Sequence, residues 1–260
     1  MHRLIWLLSL LLILHSEAAE WRIRYPDSGD RRHEFFTALI EESLKADGQT
    51  VRLEAVSIPR HMRSYLALKQ AKIDILWLLP SKERDQQFHR INMPLTNGLV
   101  GKRVLLIAEG DKRFESLAQL SDLQASGLVA GLGRGWRDVA IWDANQLPRY
   151  EHNGDWNDLF RLLASRRRGV DYLPRGAIEV LDEARVHPEL MIEPRLLLSY
   201  PGEFYFYTHS EALAKALERA LKHAQQQGLL SRLQQQIFGP ALERLQLDGR
   251  HLIELKAAAE

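Results

Sequence analysis

Cysteine is absent from all 260 residues, which excludes a disulfide framework, thiolate metal sites, a cysteine nucleophile and a lipid anchor on an N-terminal cysteine. Such a chain is held together by its core alone. An excess of charge of one sign is missing as well: 35 Lys and Arg stand against 34 Asp and Glu, so no global field draws the molecule to nucleic acid or an acidic membrane. The signatures of common catalysis are also lacking, with no Walker A loop, no H-E-x-x-H pair and no G-x-S-x-G elbow. Histidines such as His61, His89 and His209 fall in different segments and read as surface or packing groups. Neither a metal nor a cofactor is expected. No fixed-period repeat and no low-complexity linker occurs, and the run of arginines at 166–168 fans around a helix end rather than forming the broad basic face that nucleic-acid binding needs.

What the chain does have begins with "MHRLIWLLSLLLILHSEAAEW". A short basic start, an apolar segment over 4–14 and a small-x-small site at Ser16-Glu17-Ala18 read as a secretory signal peptide. The apolar part is about half of the ~20 residues that cross a bilayer. Residues 1–18 are therefore assigned to a signal, the mature chain is expected to start near Ala19, and a bacterial periplasm is the expected compartment. The remainder, with 45% apolar and 27% charged residues overall, has an ordinary globular composition and room for one large or two small domains.

Strand and helix patterns alternate along that remainder. "WRIRYP" and "VRLEAV" read as strands, and Phe36, Leu39, Ile40 and Leu44 recur at helical spacing between Asp30, a cap, and Gly48, a left-handed terminator. Pro59 suits the first turn of a second helix with Met62, Tyr65 and Leu66 on one side. Residues 73–79 form a near-continuous apolar strand of the kind found in parallel sheets covered on both faces. From Gly101 the pattern restarts with "KRVLLIA", a helix over "FESLAQLSDL", then strand, glycine turn and helix in "GLVAGLGRGWRDVAIWDAN". "DWNDLFRLLASRRR", "GVDYLP" and "RGAIEVLDEA" continue it, and further strands near "MIEPRLLLSYPGEFYFYTH" lead to a helix capped by Ser210 and a last helix halted at Gly239 and Pro240. The alternation indicates an α/β fold, and the restart indicates two compact units joined by strands, so that relative motion would be a hinge.

Within it, "PSKERDQQF" sits between two strands. Pro80 ends the first, Ser81 caps a helix, and Arg84 falls on the opening turn, where a planar bidentate guanidinium meets unpaired backbone donors; carboxylates favour such a place. The alternative is a solvated helix start with Arg84 paired to Glu83 or Asp85. Glycines at 131, 133 and 135 before a helix offer a second anion-facing turn. Trp77, in an apolar strand, is either core or a stacking surface.

At this cassette the sequence resembles the family 3 periplasmic solute-binding proteins, the polar amino-acid receptors of ABC importers. Asp74, "ILWLLP", Ser81-Lys82-Glu83-Arg84, Phe88 and "INMP" follow the family's order, and the likeness runs on through "KRVLLIAEGD", "GLVAGLGRGW", "LFRLLASRRRGVDYLPRGAIEV" and "QQQIFG". The resemblance implies a type II binding-protein fold: one lobe from residues 19–107 plus 195–240, a second from 108–194, a tail over 241–260, and a ligand cleft between hinged lobes. It also implies that Arg84 holds a ligand carboxylate, that Tyr25 lies in the loop region after the first strand, and that Arg134 and Trp136 contact ligand from the second lobe. The sequence departs from the family at Trp77, Leu78 and Leu79, where hydroxyl residues are usual, and at Arg175 or Gly176, where an amine-binding aspartate is usual. Arg175 is either an ion pair with Glu179 one turn later or a second fork facing the cleft.

The expected function is periplasmic binding of a small anionic solute, a dicarboxylate, an aromatic acid or an amino-acid-like compound, by a monomer that serves an ABC permease or a membrane sensor kinase. Ser81, Arg84, Tyr25, Trp77, Arg134, Trp136 and Arg175 are the expected ligand residues. The same fold class includes a periplasmic dehydratase acting on a cyclic aromatic-amino-acid precursor, so a lyase is the rival expectation, with Glu179, Asp171 and Asp138 as its candidate acids or bases.

Overall fold

The computed structural model describes residues 20–27, 31–58, 61–166 and 169–258, without the side chains of 31, 32 and 61–63. The signal peptide, Asp30, Pro59 and Met62's side chain, and Arg167 and Arg168, all lie outside that description.

In chain order the first part runs β1 (Glu20–Asp27), α1 (Arg31–Ala46), β2 (Thr50–Ser57), α2 (His61–Lys69), β3 (Ile75–Leu78), α3 (Lys82–Gln87) and β4 (His89–Arg90). The middle runs β5 (Lys102–Ala108), α4 (Leu120–Ser126), β6 (Ala130–Gly133), α5 (Arg137–Ala144), β7 (Arg149–His152), α6 (Asp158–Ala164), β8 (Tyr172–Gly176), α7 (Val180–Val186), β9 (Leu190–Ile192) and β10 (Leu196–Ser199). It closes with β11 (Tyr205–Thr208), α8 (Glu211–Gln226), α9 (Leu229–Ile237), α10 (Gly239–Leu245) and β12 (His251–Glu254).

Two sets of strands result. β1 pairs in parallel with β2, and β11 lies between β3 and β4, antiparallel to both. Asp74, just before β3, joins the groups: its amide donates to the Arg24 carbonyl, and its carboxylate accepts from the Arg24 amide and pairs bidentately with the Arg24 guanidinium. The six middle strands and β12 make one seven-stranded sheet in the order β12-β10-β5-β8-β6-β7, with β9 also on β5.

Period-two alternation gives each sheet two packed faces. Ile75 and Trp77 of β3 face the core beneath α1, α8 and α9, while Leu76 and Leu78 face Leu68, Phe88 and Tyr207 on the other side. β5 divides likewise, Leu105 and Ile107 into one core and Val104 and Leu106 into another. The continuous apolar runs read from sequence are thus strands buried on both faces. The expected parallel pairing is not found at β3, because its neighbour β11 returns from the second half of the chain and runs the other way.

Several elements differ from the sequence expectation. In α2 the buried positions among the described side chains are Ser64, Ala67 and Leu68, and Leu66 is 49% exposed; the helix turns Ala67 and Leu68, rather than Leu66, toward Leu76 and Leu78 of β3. α4 begins only at Leu120, where Asp122 caps back onto the Ala118 and Gln119 amides, and the preceding residues make a single 3-10 turn. α9 stops at Ile237, just before Gly239 and Pro240, as expected, but it is not the last helix: Pro240 sits in the opening of α10, its missing N–H costing nothing there.

The strand at Lys102–Ala108 lies in the second sheet, bonded to β8, β9 and β10. The chain after Ile237 returns to that sheet too, where β12 pairs in parallel with β10 and places Ile253 and Leu255 in its core. The connecting segments cross where Gly101 meets Tyr200: a Cβ on Gly101 would stand 2.0 Å from the Tyr200 carbonyl oxygen. Only a glycine lets the two backbones approach so closely. Glu203 locks the same crossing by accepting from the Thr96 and Gly98 amides at 2.8 and 2.9 Å and from the Thr96 hydroxyl.

Candidate functional site

α3 is short and carries no buried residue, so its charged groups decide its placement. Asp85 accepts from the Tyr207 hydroxyl at 2.8 Å and pairs with Arg90 at 2.9 Å, which ties the helix to the sheet. Glu83 accepts from Gln87. Neither acid therefore neutralises Arg84, contrary to the alternative left open by the sequence. Ser81 is the N-cap, its hydroxyl accepting from the Arg84 amide at 3.3 Å. The Arg84 guanidinium folds back to donate to the Leu79 carbonyl, and among the described residues it has no carboxylate partner.

The second lobe meets this point through α5. Its first residue, Arg137, reaches across and donates from Nη1 to the Pro80 carbonyl at 3.3 Å. Two guanidinium groups, one from each lobe, thus rest on consecutive carbonyls just before α3. Sequence reasoning stopped one residue short, at Arg134 and Trp136. The available signal was position: Arg137 opens its helix after a turn, much as Arg84 does in the first lobe.

The glycine turn ahead of α5 is explained by packing. A Cβ on Gly131 would meet Leu173, Val170 and Leu159, and one on Gly133 would stand 2.5 Å from the Trp136 indole, which lies against it. Gly135 has φ +77. Arg134 is exposed, its amide donating to the His152 carbonyl at 2.9 Å.

Arg175 lies in the interior of the second lobe, 8% exposed. It donates to Glu183 at 2.8 Å from Nε and to Glu179 at 3.1 Å from Nη2, and stands 4.9 Å above the Trp136 ring and 5.0 Å above Trp156. Burial alone would pull its pKa down; the charges of Glu183 and Glu179 raise it instead. Of the sequence alternatives, the geometry matches the ion pair to Glu179, widened by Glu183 and by the two indoles. Trp136 and Arg175 are therefore together, but as wall and filling of one lobe.

A second buried network adjoins it. Arg103 of β5 donates to Asp138 at 2.9 Å, Tyr200 donates to the same Asp138 oxygen at 2.7 Å, and the Arg103 guanidinium also donates to the Val100 carbonyl. Burial would raise the Asp138 pKa, but the Arg103 charge and the bonds from Arg103 and Tyr200 hold it below the usual carboxylate range. Asp171 accepts from the Val129 amide at 2.8 Å and pairs with Arg113. The three acids proposed for a lyase are each engaged in the packing of the second lobe.

Two other expected residues lie behind the junction. Trp77 is buried in the first core, stacked on Phe36 at 4.7 Å and met edge-on by His33. Tyr25 lies within β1, paired with Ala55 of β2, rather than in a loop after the strand; it is half-buried against the same core, and burial, with Asp27 and Glu41 nearby, pushes its hydroxyl pKa up. Among the described residues no cluster of three metal-ligating side chains occurs, and no helix is long and apolar enough to cross a membrane.

No protein-family model matches the chain, and no curated protein matches it by sequence. Solved structures do. The probable amino-acid ABC transporter extracellular-binding protein ytmK from Bacillus subtilis aligns over 85% of this chain and 99% of its own, with TM-score 0.61 and 15% identity. An ancestral arginine-binding protein bound to arginine aligns over 84% and 98%, at 0.57 and 16%. A mutant of the arginine-binding protein from T. maritima aligns over 85% and 95%, at 0.55 and 15%. At these identities the likeness establishes the fold: two α/β lobes joined by hinge strands, the type II periplasmic-binding arrangement.

Proposed function

We propose that the protein is an exported, divergent amino-acid-type solute-binding protein that closes on a small acid in the cleft between its lobes and does no covalent chemistry. The observation that carries this is Arg84: a guanidinium at the meeting of the lobes, on the opening turn of α3, with no acid to neutralise it among the described residues. An arginine fork without a counter-ion is a ready partner for a carboxylate. The solved structures of this fold include proteins named for amino-acid transport, which supports the reading.

Ser81 fixes the turn that presents Arg84. Trp77 and Tyr25 back it from the first core, Arg134 stands at the rim, and Trp136, with Arg175 beneath it, forms the second lobe's wall. Closing the lobes would exclude water and strengthen each contact to the acid. Delivery would be to an ABC permease or a sensor in the inner membrane, from the periplasm, by a monomer; the signal-like N-terminus supports export.

A thermal-shift and calorimetric screen of amino acids, dicarboxylates and aromatic acids tests the proposal. Saturable stabilisation by an acid, lost in Arg84→Ala and without consumption of the compound, is expected. A hit that stabilises Arg84→Ala equally would refute the site, and turnover of the compound would refute the receptor reading in favour of the lyase.

A further inference from the structure

We propose that Arg137 is a second anion-holding residue, so that the cleft selects solutes carrying two carboxylates, one on Arg84 and one on Arg137. This rests on the reading that Arg84 takes a carboxylate. The starting point is an imbalance at the junction of the lobes. Arg137 comes from the second lobe yet, among the described residues, makes its one hydrogen bond in the first, a long one of 3.3 Å to the Pro80 carbonyl. Its Nε is buried with no hydrogen-bond partner among the described residues. Arg84 rests on the neighbouring Leu79 carbonyl. Neither has a carboxylate among the described residues.

The rest of the second lobe is organised differently. Its buried arginines are neutralised inside the lobe, Arg103 by Asp138 and Arg175 by Glu179 and Glu183. Arg195 and Arg250 rest on backbone carbonyls within that lobe, whereas Arg84 and Arg137 come together, without an acid among the described residues, where the lobes touch. A guanidinium offers five donors in one plane, and one long bond to a carbonyl leaves most of Arg137's capacity unused. A buried donor left unpaired is costly, and two cations drawn together by lobe closure repel. A solute with one acid group answers Arg84 and leaves Arg137 as it is. A solute with two acid groups at opposite ends answers both, and gives each lobe its own charge-assisted contact across the hinge. The second fork anticipated at Arg175 is thus supplied by Arg137, whose side chain leaves its own lobe.

The test is calorimetric titration of the purified protein with matched pairs: succinate against butyrate, L-aspartate against L-asparagine, L-glutamate against L-glutamine. Wild type is expected to prefer the diacid of at least one pair by about tenfold or more. Arg137→Ala is expected to erase that preference while leaving the monoacid within about twofold, and Arg84→Ala to weaken both. Arg137→Lys, which keeps a charge but loses the planar fork, is expected to keep part of the preference. The thermal midpoints of the ligand-free variants check folding. The inference is overturned, with the Arg84 reading intact, if monoacids bind through Arg84 and wild type shows no diacid preference, or if Arg137→Ala leaves the preference unchanged. Loss of both acids equally in Arg137→Ala also overturns it. If no carboxylate binds, or Arg84→Ala binds as wild type does, the underlying reading falls and this inference with it.

Discussion

The arginines of this protein separate by what answers their charge. Arg103 is buried against Asp138, so Asp138→Asn, which strands the guanidinium, is expected to cost about 3–5 kcal/mol of unfolding free energy in denaturant titration. The pH dependence follows from the depressed Asp138 pKa. As pH falls the unfolded chain takes the proton first, so the pair's contribution is present above the unfolded value of about 3.9 and is lost as pH drops through the folded one. Stability is expected to fall in acid below about pH 4, and Asp138→Asn should flatten that part of the profile. Arg84→Ala breaks no ion pair among the described residues, and is expected to change stability by less than about 1 kcal/mol while weakening acid binding. Arg84 was legible because Ser81 lies three residues before it, and Glu179 because it lies four after Arg175. Arg137 was not legible as a junction residue, since its acceptor, the Pro80 carbonyl, is 57 positions away and in the other lobe. Glu183 escaped for a related reason: eight residues from Arg175, it is brought back only by the turn between β8 and α7.

At the scale of elements, strong amphipathic periodicity was read correctly. α8 starts at the Ser210 cap, whose hydroxyl accepts from the Leu213 amide at 3.2 Å, and buries Leu213, Leu217, Leu221 and Ala224. Ser210→Ala is expected to cost about 1 kcal/mol, measurable as a shift in the denaturation midpoint. Short elements that exist only through partners were missed. β12 has one buried residue in four and no pattern of its own; it is a strand because β10 presents an open edge and because the Asn145 side-chain amide holds the following Lys256 backbone, accepting from its N–H at 2.8 Å and donating to its carbonyl at 3.0 Å. A chain ending at Gly249 should therefore unfold at a lower temperature than the full chain, and equal stability would show that the pairing is dispensable. The crossing of the connecting segments is more sensitive still. Gly101→Ala drives a Cβ into the Tyr200 carbonyl, and is expected to destabilise by about 2 kcal/mol or more, since backbone on both sides must shift.

On the scale of the molecule, the restart of the α/β pattern near Gly101 was enough to foresee two lobes, because each strand-and-helix unit has to bury its own apolar faces. How the connecting strands cross, and which sheet each segment joins, could not be read there: pairing is a property of edges, and edges are set by the whole sheet. Among the described residues Arg137 on Pro80 is a polar contact between the lobes, and Ile178 of the second lobe packs into the first core. On the proposed reading, closure of such a hinge is left to the solute. Small-angle scattering should accordingly show a smaller radius of gyration once a binding acid saturates the protein, and none of that change in Arg84→Ala. The most direct measurement is a crystal structure of the protein with such an acid bound. A carboxylate oxygen is expected about 3 Å from the Arg84 guanidinium, between the lobes, with the bond to Leu79 given up or shared. A solute bound elsewhere, with Arg84 still resting on Leu79 alone, would contradict that expectation.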